Sequence, residues 1–162
     1  MLRITHLKPN PLGKDRTRHG GATAAQLGAE WMDFQNAGTS STKLDGIALY
    51  HVAFSPGNHQ GSWEEIMTFK GILQRDKIVR VHSGQVRDPS ILNLEDLNGA
   101  DHHLFTGRDA YVWNNREGDT AALWKAEQLI DKASYAPNPP EGVVLTRSGD
   151  RLALPGAAKS SH

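Results

Sequence analysis

The chain contains no cysteine. That excludes disulfides, thiolate metal sites and cysteine nucleophiles, and it fits a reducing compartment. Long apolar runs are also missing. No stretch is long enough to span a bilayer, and the opening "MLRITHLKPN" lacks the apolar core of a signal peptide. The expectation is a soluble, cytoplasmic protein. Net charge is absent as well, with 18 Lys plus Arg against 18 Asp plus Glu. A nucleic-acid binder usually carries a basic surplus to displace phosphate counterions. The densest basic stretch runs from Lys14 through Arg16 and Arg18 to His19. A solvated loop explains it better than a DNA or anionic-surface site. Several catalytic signatures are missing too: HxH, HExxH, GxSxG, GxGxxG and the GxxxxGK[ST] phosphate loop.

What is present reads mainly as strands and turns. The 162 residues suit one domain, and 16 Gly and 8 Pro punctuate it at fairly regular intervals. "LRITHL" (2–7) alternates as a short strand, and "KPNPLG" ends it. "EWMDFQN" sets Met32 and Phe34 on one face and Trp31, Asp33 and Gln35 on the other. "IALYHVAF" (47–54) is a dense β-type run. "KIVRVHSG" places Val79 and Val81 opposite Arg80 and His82. "GVVLTRSGDRLAL" reads as a closing hairpin turning at Ser148, Gly149 and Asp150. The expected domain is 1–154, followed by a flexible C-terminal tail, 155–162. Two stretches conflict with an all-β reading. "SWEEIMTFKGILQRDK" and "DTAALWKAEQLIDKASY" are rich in helix formers, and propensity alone makes the second a helix.

Eight histidines are the best argument for a catalytic metal. Asp101, His102 and His103 form the densest cluster. Neighbours on a strand point to opposite faces, so His102 and His103 cannot easily share one ion. A distant third ligand would be needed, such as His82, His51 or Asp119. Hydrogen-bonded or exposed histidines are the better explanation. A metal-dependent hydrolase or nuclease could draw on His103, Arg108, Asp109, Asn114 and Asn115. Asp45, Asp109 and Asp119 sit in turn-like contexts that suit calcium or, equally well, Asx turns.

Five segments in order carry a resemblance: "AEWMDFQNAG", "KLDGIALY", "KIVRVHSG", "VWNNREGDTAAL" and "IDKASY". Together, over Leu2–Tyr135, they resemble the lamin-tail domain in its bacterial form. The resemblance implies an immunoglobulin-like β-sandwich of two antiparallel sheets. It turns "DTAALWKA" and "QLIDKASY" into two strands, with Ala121 and Leu123 facing the core and Ile130 opposite them. It implies a structural or protein-interaction module without catalysis, cofactor or metal, which binds another protein or copies of itself. Its motif residues here are Glu30, Asn36, Trp113, Asn114, Asn115, Gly118, Asp119 and Thr120. Asn114 and Asn115 would end a strand, Gly118 would supply the turn, and Thr120 would open the next strand.

This sequence departs from the family at three places. The hairpin turn "KAEQ" lacks an Asp-Gly type pair, "LQRDK" stands where a Pro-Gly type turn is usual, and the loop 11–28 is long. Trp31 and Trp124 are expected to point away from the core. Cover by a loop or by the C-terminal hairpin is the first explanation for both. The alternative is an interaction surface made of Trp31, Trp124, Lys14, Arg16 and Arg18.

Overall fold

A computed structural model describes residues 1–14, 22–55, 57–86 and 88–156. Arg16, Arg18 and the tail from 157 onward lie outside the described residues. The chain opens with β1 (Leu2–Lys8), α1 (Ala24–Gly28), β2 (Trp31–Asn36), β3 (Thr42–Lys43) and β4 (Ile47–Ser55). Next come β5 (Asn58–Thr68), β6 (Ile72–Leu73), β7 (Ile78–His82), a 3-10 turn at Pro89–Ile91 and α2 (Leu94–Leu97). β8 (His102–Phe105), β9 (Asp119–Lys125), β10 (Gln128–Tyr135), β11 (Leu145–Ser148) and β12 (Arg151–Ala153) complete it.

The architecture is not the two-sheet sandwich that the resemblance implied. One ten-stranded mixed sheet, in the order β5-β4-β9-β10-β12-β11-β1-β2-β7-β8, curls through 252° into a half-barrel. β3 and β6 form a separate two-stranded sheet. The closing hairpin is the reason for the difference. β11 and β12 sit between β10 and β1, so they join what would otherwise be two sheets. Ser134 pairs with Arg151 in parallel, and His6 and Leu7 pair with Thr146 and Leu145 in antiparallel.

A partly buried ion pair secures that junction. Arg147 holds Asp131 through two bonds of 2.8 and 2.9 Å. Asp131 accepts the Ile4 amide at 2.7 Å, and Arg147 donates to the Ile4 carbonyl at 2.8 Å. Three strands thus meet in one bidentate cluster beside the β1 register shift between Ile4 and His6.

Both helix-leaning stretches are extended. β9 and β10 form the antiparallel hairpin that the resemblance implied, with Ala121 opposite Ala133. The register shifts between Leu129 and Asp131, so Ile130 sits in the irregularity and is only partly buried. Ala133 and Tyr135 supply the core contacts from β10. The "KAEQ" turn closes because Ala126 adopts φ 53°, a conformation that most residues avoid.

The core includes Ile4, Leu7, Met32, Phe34, Leu49, Val79, Trp113 and Leu123. Each fully buried side chain of leucine size contributes about 1.5–3 kcal/mol. Phe34 meets Phe69 edge-on at 5.0 Å. Around Trp31 the other face of the sheet is covered too, by the segment that carries α2. No helix among the described residues is long and apolar enough to cross a membrane.

Candidate functional site

Three polar centres are built inside the fold, two of them from the motif residues, and most of their polar atoms are paired within the protein. The first is Glu30, wholly buried between α1 and β2. One carboxylate oxygen accepts from the Ser83 hydroxyl at 2.5 Å and the Val112 amide at 2.7 Å. The other accepts from Lys14 Nζ at 2.6 Å and the Trp113 amide at 3.3 Å. Lys14 also donates to the Pro9 and Trp113 carbonyls and to Asn115 Oδ1. Lys14 is therefore an internal counter-ion and not part of an open basic surface. Asn36 does similar work at the end of β2. It donates to the Ser40 and Leu73 carbonyls and accepts from the Gly38 amide.

The second centre is Asp119. His51 donates to it from Nδ1 at 2.8 Å, and Asn114 donates from its amide and from Nδ2 at 3.1 and 2.9 Å. The amides of Val52 and Thr120 donate to its other oxygen, both at 2.8 Å. Five donors leave this carboxylate little capacity to ligate calcium. Asn114 also donates to the Val52 carbonyl, and Tyr135 donates its hydroxyl to the Asn114 carbonyl. Burial pushes the His51 pKa down, but Asp119 and then Glu64 more than offset that, and it stands above the usual value. The segment 112–120 is thus tied into the fold by internal hydrogen bonds.

The third centre lies on the far side of β2. Arg80 grips Asp33 with bonds of 2.7 and 2.9 Å and stacks 3.6 Å from the Trp31 ring. Asp96 accepts from Lys8 Nζ at 2.7 Å and from the Trp31 indole at 2.9 Å. Trp31 does point away from Met32 and Phe34, but at 2 % exposure it is no interaction surface. Burial raises the Asp33 pKa, and Arg80 opposes that shift.

The histidine cluster resolves into a hydrogen-bonded pair. His102 is exposed, while His103 Nδ1 lies 2.8 Å from His82 Nε2. His82 Nδ1 lies 2.6 Å from the Gly28 carbonyl, so it must carry the proton. That leaves Nε2 as the acceptor for His103. Desolvation lowers the His82 pKa to about 4. Among the described residues, no group of three or more His, Cys, Asp or Glu could hold a metal ion. The nuclease candidates do not converge either. Asn114 serves Asp119, Arg108 serves β5, and His103 serves His82. Asp45 accepts the Gly71 amide at 3.3 Å.

One set of residues remains outside these centres. Trp124 meets Tyr50 edge-on at 6.5 Å and Trp63 at 6.0 Å. Trp63 is 45 % exposed, and the Trp124 indole nitrogen has no hydrogen-bond partner among the described residues. The rings come from β4, β5 and β9, and β5 is a terminal strand of the curled sheet. Sequence reasoning singled out Trp124 and missed Trp63, because "SWEEIM" leans towards a helix. Strand alternation was the available signal, since it puts Trp63 and Glu65 on one face.

The two ends of the sheet, β5 and β8, are linked by Arg108. Its backbone pairs with Gly84 beyond β7. Its guanidinium reaches the Glu64 carboxylate at 2.9 Å and the Glu65 carbonyl at 2.5 Å. A separate open groove of about 410 Å³ runs along Pro137, Pro139, Pro140 and Leu152. Arg151 is its one charged lining residue.

No family model and no curated protein matches the chain. The lamin-tail resemblance rests on its sequence motifs alone.

Proposed function

We propose that this chain is a non-catalytic, cytoplasmic interaction module of the lamin-tail kind that its motifs resemble. It engages another protein through the Tyr50, Trp63 and Trp124 face beside β5. The observation that carries this reading is an exposed tryptophan clustered with two further rings on a terminal strand. Tryptophan and tyrosine concentrate binding energy at protein interfaces, and an unpaired strand edge favours pairing with another chain. A second support is the employment of the polar motif residues. Glu30, Asp119 and Asn114 are engaged in internal hydrogen bonds, which leaves them poorly placed for chemistry.

The test is site-specific photocrosslinking in cells, with a benzophenone side chain at position 63 and a control at Ile72, which is also exposed. The reading expects a discrete adduct from 63 and none from 72. Equal or absent adducts at both positions would remove its support. A stoichiometric transition metal in elemental analysis would favour the hydrolase alternative instead.

A further inference from the structure

β5 pairs only with β4 among the described residues, so one of its edges is open. Asn58–Thr68 carries Glu64 and Glu65 and neither Lys nor Arg. The two carboxylates lie on opposite faces of the strand. Glu64 faces His51, and Glu65 lies beside Tyr50, whose hydroxyl is 3.4 Å away. Trp63 shares the Glu65 face. Cations are attracted both to carboxylates and to the faces of tryptophan rings.

The strand already holds one guanidinium. Arg108 sits on the Glu64 carboxylate and the Glu65 carbonyl. Both its side chain and that of Glu64 remain substantially exposed. An internal residue thus displays the chemistry that this strand accepts. A second copy of β5 is a poor occupant. Antiparallel self-pairing centred between Glu64 and Glu65 sets those carboxylates against each other, and like charges directly opposite are destabilising.

We infer that the open edge of β5 docks an extended segment bearing two adjacent cationic residues. One cation takes the Arg108 seat at Glu64, and the other lies on the Trp63–Glu65 face. Adjacent residues are required because neighbours on a strand face opposite sides. Main-chain bonds add the segment as a further strand, and the two cations set its register. Arg108 reaches across from beyond β8 and guards the edge in the free protein, since a charge placed on an exposed edge discourages unwanted pairing. The inference rests on the interaction-face reading and narrows it to one class of partner.

The experiment titrates the full chain with synthetic octapeptides and follows tryptophan fluorescence and β5 amide shifts. The probe is Thr-Val-Thr-Arg-Arg-Val-Thr-Val. Its controls carry Glu-Glu in place of Arg-Arg, or proline in place of the valines at the second and sixth positions. Only the first peptide should bind, with β5 amides shifting. Trp63→Ser and Glu65→Lys should each weaken it about tenfold, a step of ~1.4 kcal/mol. Arg108→Ala should tighten it several-fold by vacating the seat.

Equal binding of the proline peptide would overturn strand addition. Weaker binding to Arg108→Ala would overturn the competition for the seat. No binding by any peptide, with crosslinks from position 63 retained, would remove this partner class and leave the interaction face standing. Loss of those crosslinks as well would remove both. A concentration-dependent dimer that Trp63→Ser dissolves would identify a second copy as the occupant and overturn the inference.

Discussion

Replacing Gly118 by alanine adds one methyl group at the entry to β9, and the structure says where it goes. Gly118 has φ 72°, and a Cβ there would stand 2.5 Å from the Tyr135 carbonyl oxygen. It would also lie 3.1 Å from Ala136 C and Pro137 N. All three neighbours are backbone. They cannot move freely, because the Tyr135 hydroxyl is bonded to the Asn114 carbonyl and Asn138 donates to the Asn115 carbonyl. The left-handed conformation alone costs an alanine about 1–2 kcal/mol. Relieving the clash adds about 1–3 kcal/mol, the usual range for overpacking.

Gly107 is the natural control. It has φ 78° with nothing within 4 Å of its Cβ position. Gly107→Ala therefore meets the conformational cost without the clash. In a domain of this size, 1 kcal/mol moves Tm by roughly 2–4 °C. Gly118→Ala should lower Tm by about 4–20 °C, and Gly107→Ala by about 2–8 °C. Paired thermal melts with matched urea titrations read both. Indistinguishable melts for the two variants would refute the close approach of the 118 and 135–137 backbones. Gly118→Val should be worse than Gly118→Ala.

Further outcomes follow from the same contacts. Lys14→Ala strands the buried Glu30 carboxylate and should destabilise by about 3–5 kcal/mol in urea unfolding; a loss below about 1 kcal/mol would show that Lys14 is a surface residue after all. Ala126→Gly should stabilise by about 0.5 kcal/mol, because relief of φ 53° outweighs the added freedom of the unfolded chain; a lower midpoint in urea would count against it. His82 has a folded pKa near 4, below its unfolded value of 6.5. Its neutral form stabilises the fold above pH 6.5, and that contribution disappears as pH falls from 6.5 to about 4. An NMR titration that found His82 protonating near pH 6 would refute the dry setting. His51, whose folded pKa is raised, contributes in the opposite sense. Its stabilisation is complete below pH 6.5 and disappears as pH rises through the folded value, so His51→Gln should flatten that alkaline limb in melts.

The strands were legible where the sequence alternates cleanly. Met32 and Phe34 against Trp31 and Asp33, or Val79 and Val81 against Arg80 and His82, report the pleat directly, because side-chain direction has period two. The turn at Gly118 was legible because few residues other than glycine adopt φ 72°. "DTAALWKA" and "QLIDKASY" form a hairpin, as the resemblance implied and against their local propensity. Other features depend on groups far apart in the chain. The closing hairpin could be read at Ser148–Asp150, but not its place between β10 and β1. That place rests on Asp131, Arg147 and Ile4, and up to 143 residues separate their bonded partners. Lys14 reads as part of a basic loop until Glu30 and the Trp113 carbonyl close around it. Trp31 reads as exposed until Asp96 and Arg80 cover it. Trp63 becomes notable only when Trp124 and Tyr50 stand beside it on neighbouring strands. Short-range order follows from backbone sterics and alternation, which each residue carries with it. Sheet closure, burial of charge and the composition of a surface depend on distant partners, and only the folded chain brings those together.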